Sequence, residues 1–168
     1  AMECFQTQRA VGLRGLGNLL ENTTPNWREF AKDTATWNIE KGFGLTIEDM
    51  IRAEATRTRI FEDISEYFRD FDALLLPAAQ VPPFDLSQEW IGEIAGSKLD
   101  TYIDWMSVCC MITVTGLPAI SVPGGFTDEG LPVGIQLVGK PNGDLELLKI
   151  ANAYEAITKH HARMPELF

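Results

Sequence analysis

Between Thr113 and Gly139 the chain reads TVTGLPAISVPGGFTDEGLPVGIQLVG, and this stretch limits the possible folds more than any other. Two apolar runs, Pro118 to Pro123 and Leu131 to Val138, flank a glycine-rich, acidic loop from Gly124 to Gly130. Each run has the length of a strand, carries β-branched residues (Ile120, Val122, Val133, Ile135, Val138) and is bounded by Gly or Pro. Two neighbouring strands joined by a turn are therefore predicted. Neither run alternates polar and apolar residues, which predicts strands covered on both faces, inside a sheet that carries helices on each side. A buried hairpin in any α/β core fits the same periodicity.

The 168 residues amount to one domain with a moderate core, and 45% hydrophobic with 23% charged residues describes a soluble globular chain rather than a disordered one. The formal charge of −10 opposes nonspecific binding to nucleic acid phosphates or anionic lipid, so neither is predicted as a partner. No apolar run approaches the roughly 18 to 20 residues that span a bilayer, and no charged n-region precedes an apolar segment. A cytoplasmic protein is the default expectation. Of the three cysteines, Cys4, Cys109 and Cys110, two are adjacent, which ordinary disulfide geometry does not accommodate, so reduced thiols are predicted. His160 and His161 lie far from the cysteine pair without ligand-like spacing, and no metal site is predicted. Ala1 ahead of Met2 reads as a tag remnant, with Met2 the encoded start.

Taken in order, Glu3 to Asn22 places Val11, Leu13, Leu16, Leu19 and Leu20 at helical spacing, interrupted by Gly12, Gly15 and Gly17. GLRGLGN is not a phosphate loop, since no strand precedes it and the spacing departs from GxGxxG; close helix packing explains its glycines better. Thr24 and Pro25 suit the start of a second helix, running to about Lys41 and stopping at Gly42. Its Trp27, Phe30 and Trp37 must pack on the main body or meet another chain. A long helix opens at Thr46, with Asp49 in the place of a capping-box acid and an apolar stripe from Met50 and Ile51 through Phe61 and Ile64 to Phe68 and Phe71.

Asp72 to Leu76 is the next predicted strand, ended by Pro77. A polar surface excursion follows from Asp85 to Lys98, with a short helix around Glu89 to Ala95. Asp100 is placed to cap a largely apolar helix from about Thr101 to Met111. Asn142-Gly143-Asp144 makes a turn in which Asp144 caps the last helix, Leu145 to about Lys159. His160 and His161 then meet the negative end of that helix.

GLPAISVPGGF followed by GLPVGIQLVG, with the upstream FGLTIEDMIRAEATRTRIFEDISEYFRDFDALLLPAAQVPPFD, resembles the C-terminal part of the amidase-signature family of serine hydrolases. The likeness runs from Phe43 to Phe168. It implies a partial amidase-signature fold of the α/β class, a mixed β-sheet of few strands covered by helices, with residues 1–42 as a helical lead-in to a module at 43–168. By position it places Ala78, Ala79 and Gln80, after the first strand, and Trp105, Val108, Cys109 and Ile112, on the apolar helix, beside the pocket for the substrate. A strand-to-loop exit stiffened by prolines accounts for the first group equally well, and Cys109 and Cys110 also read as small core residues. Thr113 stands where many relatives carry asparagine.

Family members use a serine nucleophile, a second serine and a lysine base, with the serines in a GGSSGG-type loop that these residues lack. Ser65, Ser87, Ser97, Ser107 and Ser121 are the serines, and none sits between paired glycines. No catalytic residue is therefore assigned. The expectation is a C-terminal fragment or subunit of an amide hydrolase, inactive alone, needing no cofactor and acting on a small amide only beside the missing half. Its open sheet would be covered by a homo-oligomer or by a second chain carrying that half. One alternative is a noncatalytic binding or assembly module. Another is a hydrolase using Cys109 or Cys110 with a histidine, which an apolar helix disfavours because it raises the thiol pKa.

Overall fold

The computed structural model describes residues 1–163, so the last five residues of the predicted C-terminal module lie outside it. It contains two compact units, Ala1–Ile60 and Phe61–Phe168.

The first unit is helical. Helix α1 spans Met2–Thr23 and α2 spans Asp33–Phe43. They pack closely because Gly17 presents bare backbone to Ile39 and Phe43, while Gly42 does the same to Ala10 and Arg14. Close packing thus explains Gly17 alone among the α1 glycines, since Gly12 and Gly15 face open space. The single helix predicted from Pro25 to Lys41 is instead a short 3-10 turn at Trp27–Glu29 followed by α2. Lys32 is extended between them, and Asp33 supplies negative charge to the first turn of the new helix. Trp27 is buried with Arg28 over its ring, whereas Phe30 is 77% exposed.

The long helix, α3, spans Ile47–Tyr67. Its start is the reciprocal box predicted from sequence: Asp49 N–H donates to Thr46 Oγ1 at 3.1 Å, and Thr46 N–H donates to Asp49 Oδ2 at 3.0 Å. Those bonds hold the Asp49 carboxyl below its ordinary range, the backbone bond from Thr46 being the main cause. The predicted apolar stripe is only partly buried. Ala53 is covered, and its carbonyl accepts the Cys4 thiol, but Ile51 is 64% exposed.

The second unit is built on a three-stranded sheet in the order β1-β5-β4. Strand β1 covers Leu74–Pro77, beginning two residues later than predicted and including Pro77 opposite Ile135. Proline is tolerated there because β1 lies at the sheet edge. Two-residue strands β2 (Glu93–Ile94) and β3 (Ser97–Lys98) replace the short helix predicted near Glu89 to Ala95. Ala95 and Gly96 both have positive φ, as a tight hairpin turn demands.

Helix α4 covers Ser107–Thr115, about a turn and a half later than predicted. Asp100 does not cap it; Asp104 instead accepts from Thr101 N–H and Oγ1, which closes a 3-10 turn at Asp104–Met106. Strands β4 (Ala119–Phe126) and β5 (Pro132–Val138) form the predicted pair. Helix α5 covers Asp144–Thr158, with Gly143 rather than Asp144 in the capping position.

Both ladders are antiparallel, so these strands do not form the mixed sheet implied by the resemblance. The loop joining β4 to β5 is too short for a crossover, and β1 runs against β5 from its other side. The expected α/β class holds and both faces of β5 carry apolar packing, but β4 is an edge strand among the described residues, with Ala119 and Ser121 exposed, rather than an interior strand covered on both faces. On one face Leu74, Leu76 and Val138 meet Ile64 and Phe68 of the α3 end with Ile112 and Leu117. On the other, Val122 and Leu137 meet Leu147 and Ala151 of α5, with Ile120 and Tyr154 around them.

Candidate functional site

Packing on the second face leaves β1 uncovered, and Leu75 is 56% exposed there. The chain leaving β1 turns through Ala78–Phe84 and borders an open-sided cavity of about 640 Å³ against β1 and β5. Its walls are mainly apolar, among them Leu75, Val81, Pro82, Phe84, Trp105 and Ile135. Gln80 supplies an amide, and no charged side chain contributes to the lining among the described residues.

Two glutamines hold the loop to α4. Gln80 Oε1 accepts the Val108 N–H at 3.0 Å and the Ser107 hydroxyl, so it caps a helix nearly thirty residues away. Helix N-termini leave such N–H groups without intrahelical acceptors, and the 3-10 turn before α4 offers no side-chain cap of its own. From the other side, Gln136 Nε2 donates to Pro77 O at 3.1 Å and reaches Val108 O at 3.5 Å. Gln136 is buried in β5, where an unbonded amide would be costly. Phe84 and Trp105, both in the lining, meet edge to face with centroids 5.6 Å apart.

The residues named from sequence fall into three places. Gln80 and Trp105, with Ala79, line the cavity. Ala78, Val108 and Cys109 lie outside the lining, where the loop meets α4: Ala78 N–H continues the ladder to Gly134 O, and its carbonyl accepts the thiol of the exposed Cys109 at 3.0 Å. Ile112 is in the core beside Phe68 and Val138. Sequence reasoning missed Phe84, Ser107 and Gln136. A signal existed for Gln136, the one amide in the apolar run of β5, whereas nothing local marks Phe84 as the partner of Trp105.

A wall of this kind suits a neutral, mostly apolar molecule whose single polar group meets an amide. Gln80 spends its oxygen on α4, leaving Nε2 without a protein partner among the described residues and available as a donor. Among the described residues no cluster of three or more His, Cys, Asp or Glu side chains could hold a metal, and no helix is long and apolar enough to cross a membrane. The two histidines lie after α5, where His160 meets the Phe126 ring edge to face.

A family model described as Amidase matches residues 5–148. The A-subunit of the glutamyl-tRNA(Gln) amidotransferase of Symbiobacterium thermophilum is 42% identical over 117 residues, covering 69% of this chain and 22% of that protein. Its counterpart in Myxococcus xanthus is 44% identical over 142 residues, covering 74% of this chain and 28% of its own length. The chain therefore spans about a quarter of the curated relatives it matches. Among solved structures, a bacterial aryl acylamidase of the amidase-signature family superposes with a TM-score of 0.73 at 23% identity, over 92% of this chain and 32% of that one. A structure described as a vestigial protein complex, bearing on the origins of an s-triazine catabolic enzyme, gives 0.74 at 19% identity, over 89% and 34%. These two likenesses concern the fold.

Proposed function

The chain belongs to the amidase family, and we propose that it forms the C-terminal part of an amide hydrolase, supplying a wall of the substrate cleft and no catalytic group. The observation that carries this reading is the apolar cavity whose loop is pinned to α4 by Gln80. A matched family and a built wall without a GGSSGG-type loop in the sequence agree with a part that works beside another.

In this reading the substrate is a small amide. Trp105 and Phe84 receive its apolar portion, and Gln80 Nε2 donates to its carbonyl or to a neighbouring acceptor. Ala78, Val108, Cys109 and Ile112 support that wall from outside the lining: the first three lie where the loop meets α4 and Ile112 anchors α4 in the core. The reacting groups, a serine nucleophile, a second serine and a lysine base, come from the remaining part of an amidase. That part attacks the amide carbonyl, releases the amine and hydrolyses the acyl enzyme. No metal or organic cofactor is required, and the setting is cytoplasmic.

The test is reconstitution. The Symbiobacterium thermophilum relative, with its matched 117-residue segment deleted, is co-expressed with this chain and assayed on a chromogenic anilide. Turnover by the pair and none by either protein alone is the expected result. Turnover by the purified chain alone, surviving repeated purification, overturns it. An inert pair leaves the noncatalytic binding module as the better description.

A further inference from the structure

The sheet ends in two unequal edges. Along β5 the ladder bonds alternate between neighbours: Ala78 N–H donates to Gly134 O on the β1 side, and Gly139 N–H donates to Pro118 O on the β4 side. Stepping by two from those bonds pairs Leu76 with Gln136 and Leu74 with Val138, and pairs Ile120 with Leu137 and Val122 with Ile135. The residues between them, Leu75 and Pro77 on β1 and Ala119 and Ser121 on β4, direct their N–H and C=O groups away from β5.

The β1 edge is blunted against pairing. It is four residues long, Pro77 has no N–H, and the Pro77 carbonyl already accepts from Gln136. The β4 edge is open. Ala119 and Ser121 are exposed, both keep an N–H and a C=O, and their small side chains let another backbone approach. The proline and bulge that interrupt β4, at Pro123 to Gly125, come only after this segment. Nothing among the described residues pairs with it. Matched solved chains are about three times as long as the portion aligned here, so the aligned fold continues in chain that these residues do not supply.

We propose that an extended segment from the remaining part of an amidase adds to the sheet along β4, bonding to the outward N–H and C=O groups of Ala119 and Ser121, and that β1 is not the joining edge. This deepens the preceding reading, on which it rests, by naming the seam between the two parts. Main-chain pairing of this kind supplies affinity while leaving side chains on both faces where they are.

Hydrogen exchange on the intact chain, alone and co-purified with the segment-deleted Symbiobacterium relative, tests it. The Ala119 and Ser121 amides should exchange freely in the chain alone and slow by roughly 100-fold or more in the pair. Ser121→Pro removes an outward N–H without touching the β5 ladder, as edge prolines do, and should weaken capture at least about tenfold. The Leu75 amide, its counterpart on β1, should exchange at a similar rate in the chain alone and in the pair. Slowing at Leu75 instead, capture unaffected by Ser121→Pro in a folded variant, or no pair at all overturns the proposal. So does protection of Ala119 and Ser121 in the chain alone, since the occupant is then a second copy. A pair that protects these amides but hydrolyses nothing sinks the hydrolase reading and leaves the seam standing; an active pair joined at Leu75 does the reverse.

Discussion

The backbone N–H of Val108 donates to the side-chain oxygen of Gln80 at 3.0 Å, across 28 residues of chain. A helix start is usually capped by a neighbour in sequence, whereas here the cap belongs to the loop that forms the cavity wall. Loop position and helix start are thereby one event. Gln80→Ala should cost about 1 kcal/mol in urea unfolding, the usual loss for a cap, and should weaken binding of an apolar dye. Gln80→Glu keeps an acceptor beside the positive end of α4 and should restore most of the stability. Equal midpoints for the parent and Gln80→Ala would mean that the tether contributes nothing to stability.

Gln136 faces two carbonyls, Pro77 O and Val108 O, from a buried position. Gln136→Leu should cost about 1 kcal/mol, one hydrogen bond with water able to reach the exposed Pro77. Gln136→Glu places a carboxylate against two acceptors and should cost about 3 kcal/mol or more at neutral pH. Its folded-state pKa is raised above the unfolded one, so the penalty is full above the folded value and shrinks as pH falls and the acid becomes a donor. Urea titrations at pH 7 and pH 5 read the difference; a penalty independent of pH contradicts the assignment.

Trp105 and Phe84 support one another in the cavity lining. Trp105→Ala should lower stability by about 2 kcal/mol, less than for a fully buried tryptophan, and weaken apolar dye binding at least tenfold. Phe84→Leu should fall between the parent and Trp105→Ala in dye affinity. Unaltered dye binding in Trp105→Ala would place the ligand elsewhere.

Glycines on α1 separate by environment. Gly15→Ala meets open space and should stabilise the first unit by about 0.5–1 kcal/mol, the helical preference of alanine. Gly17→Val meets Ile39 and Phe43 and should destabilise by about 1–3 kcal/mol. Thermal unfolding of the two variants should move in opposite directions.

Acid should loosen the start of α3. Because the Asp49 carboxyl sits below its ordinary range, its contribution is complete above the ordinary aspartate value and is lost as pH falls through the lowered one. Exchange of the Asp49 amide should quicken relative to the rest of α3 over that interval, after correction for intrinsic rates. Asp49→Asn should show no such pH response.

Much of this architecture was legible because short-range chemistry decided it. The β4 and β5 runs, the Thr46–Asp49 box and the turn before α5 each need only a few neighbouring residues. Failures came where distant partners decide. The α4 start shifted because Gln80, not Asp100, accepts the Val108 N–H and the Ser107 hydroxyl there. Ala95 and Gly96 took a hairpin turn where the composition suggested helix. At the cavity, position within the family picked out Gln80 and Trp105, but Phe84 and Gln136 are recognisable only once β1, β5 and α4 are assembled.

The connection between β4 and β5 is a loop closed by Thr127, whose N–H donates to Leu131 O and whose hydroxyl accepts from Leu131 N–H. Hairpin and covering helix α5 follow one another without interruption, so their mutual packing has low contact order, whereas β1 must find Val138 from far upstream. That asymmetry predicts a nucleus at the hairpin and α5, with β1 annealing afterwards. On a ribosome the strand made first would therefore wait for the template made last.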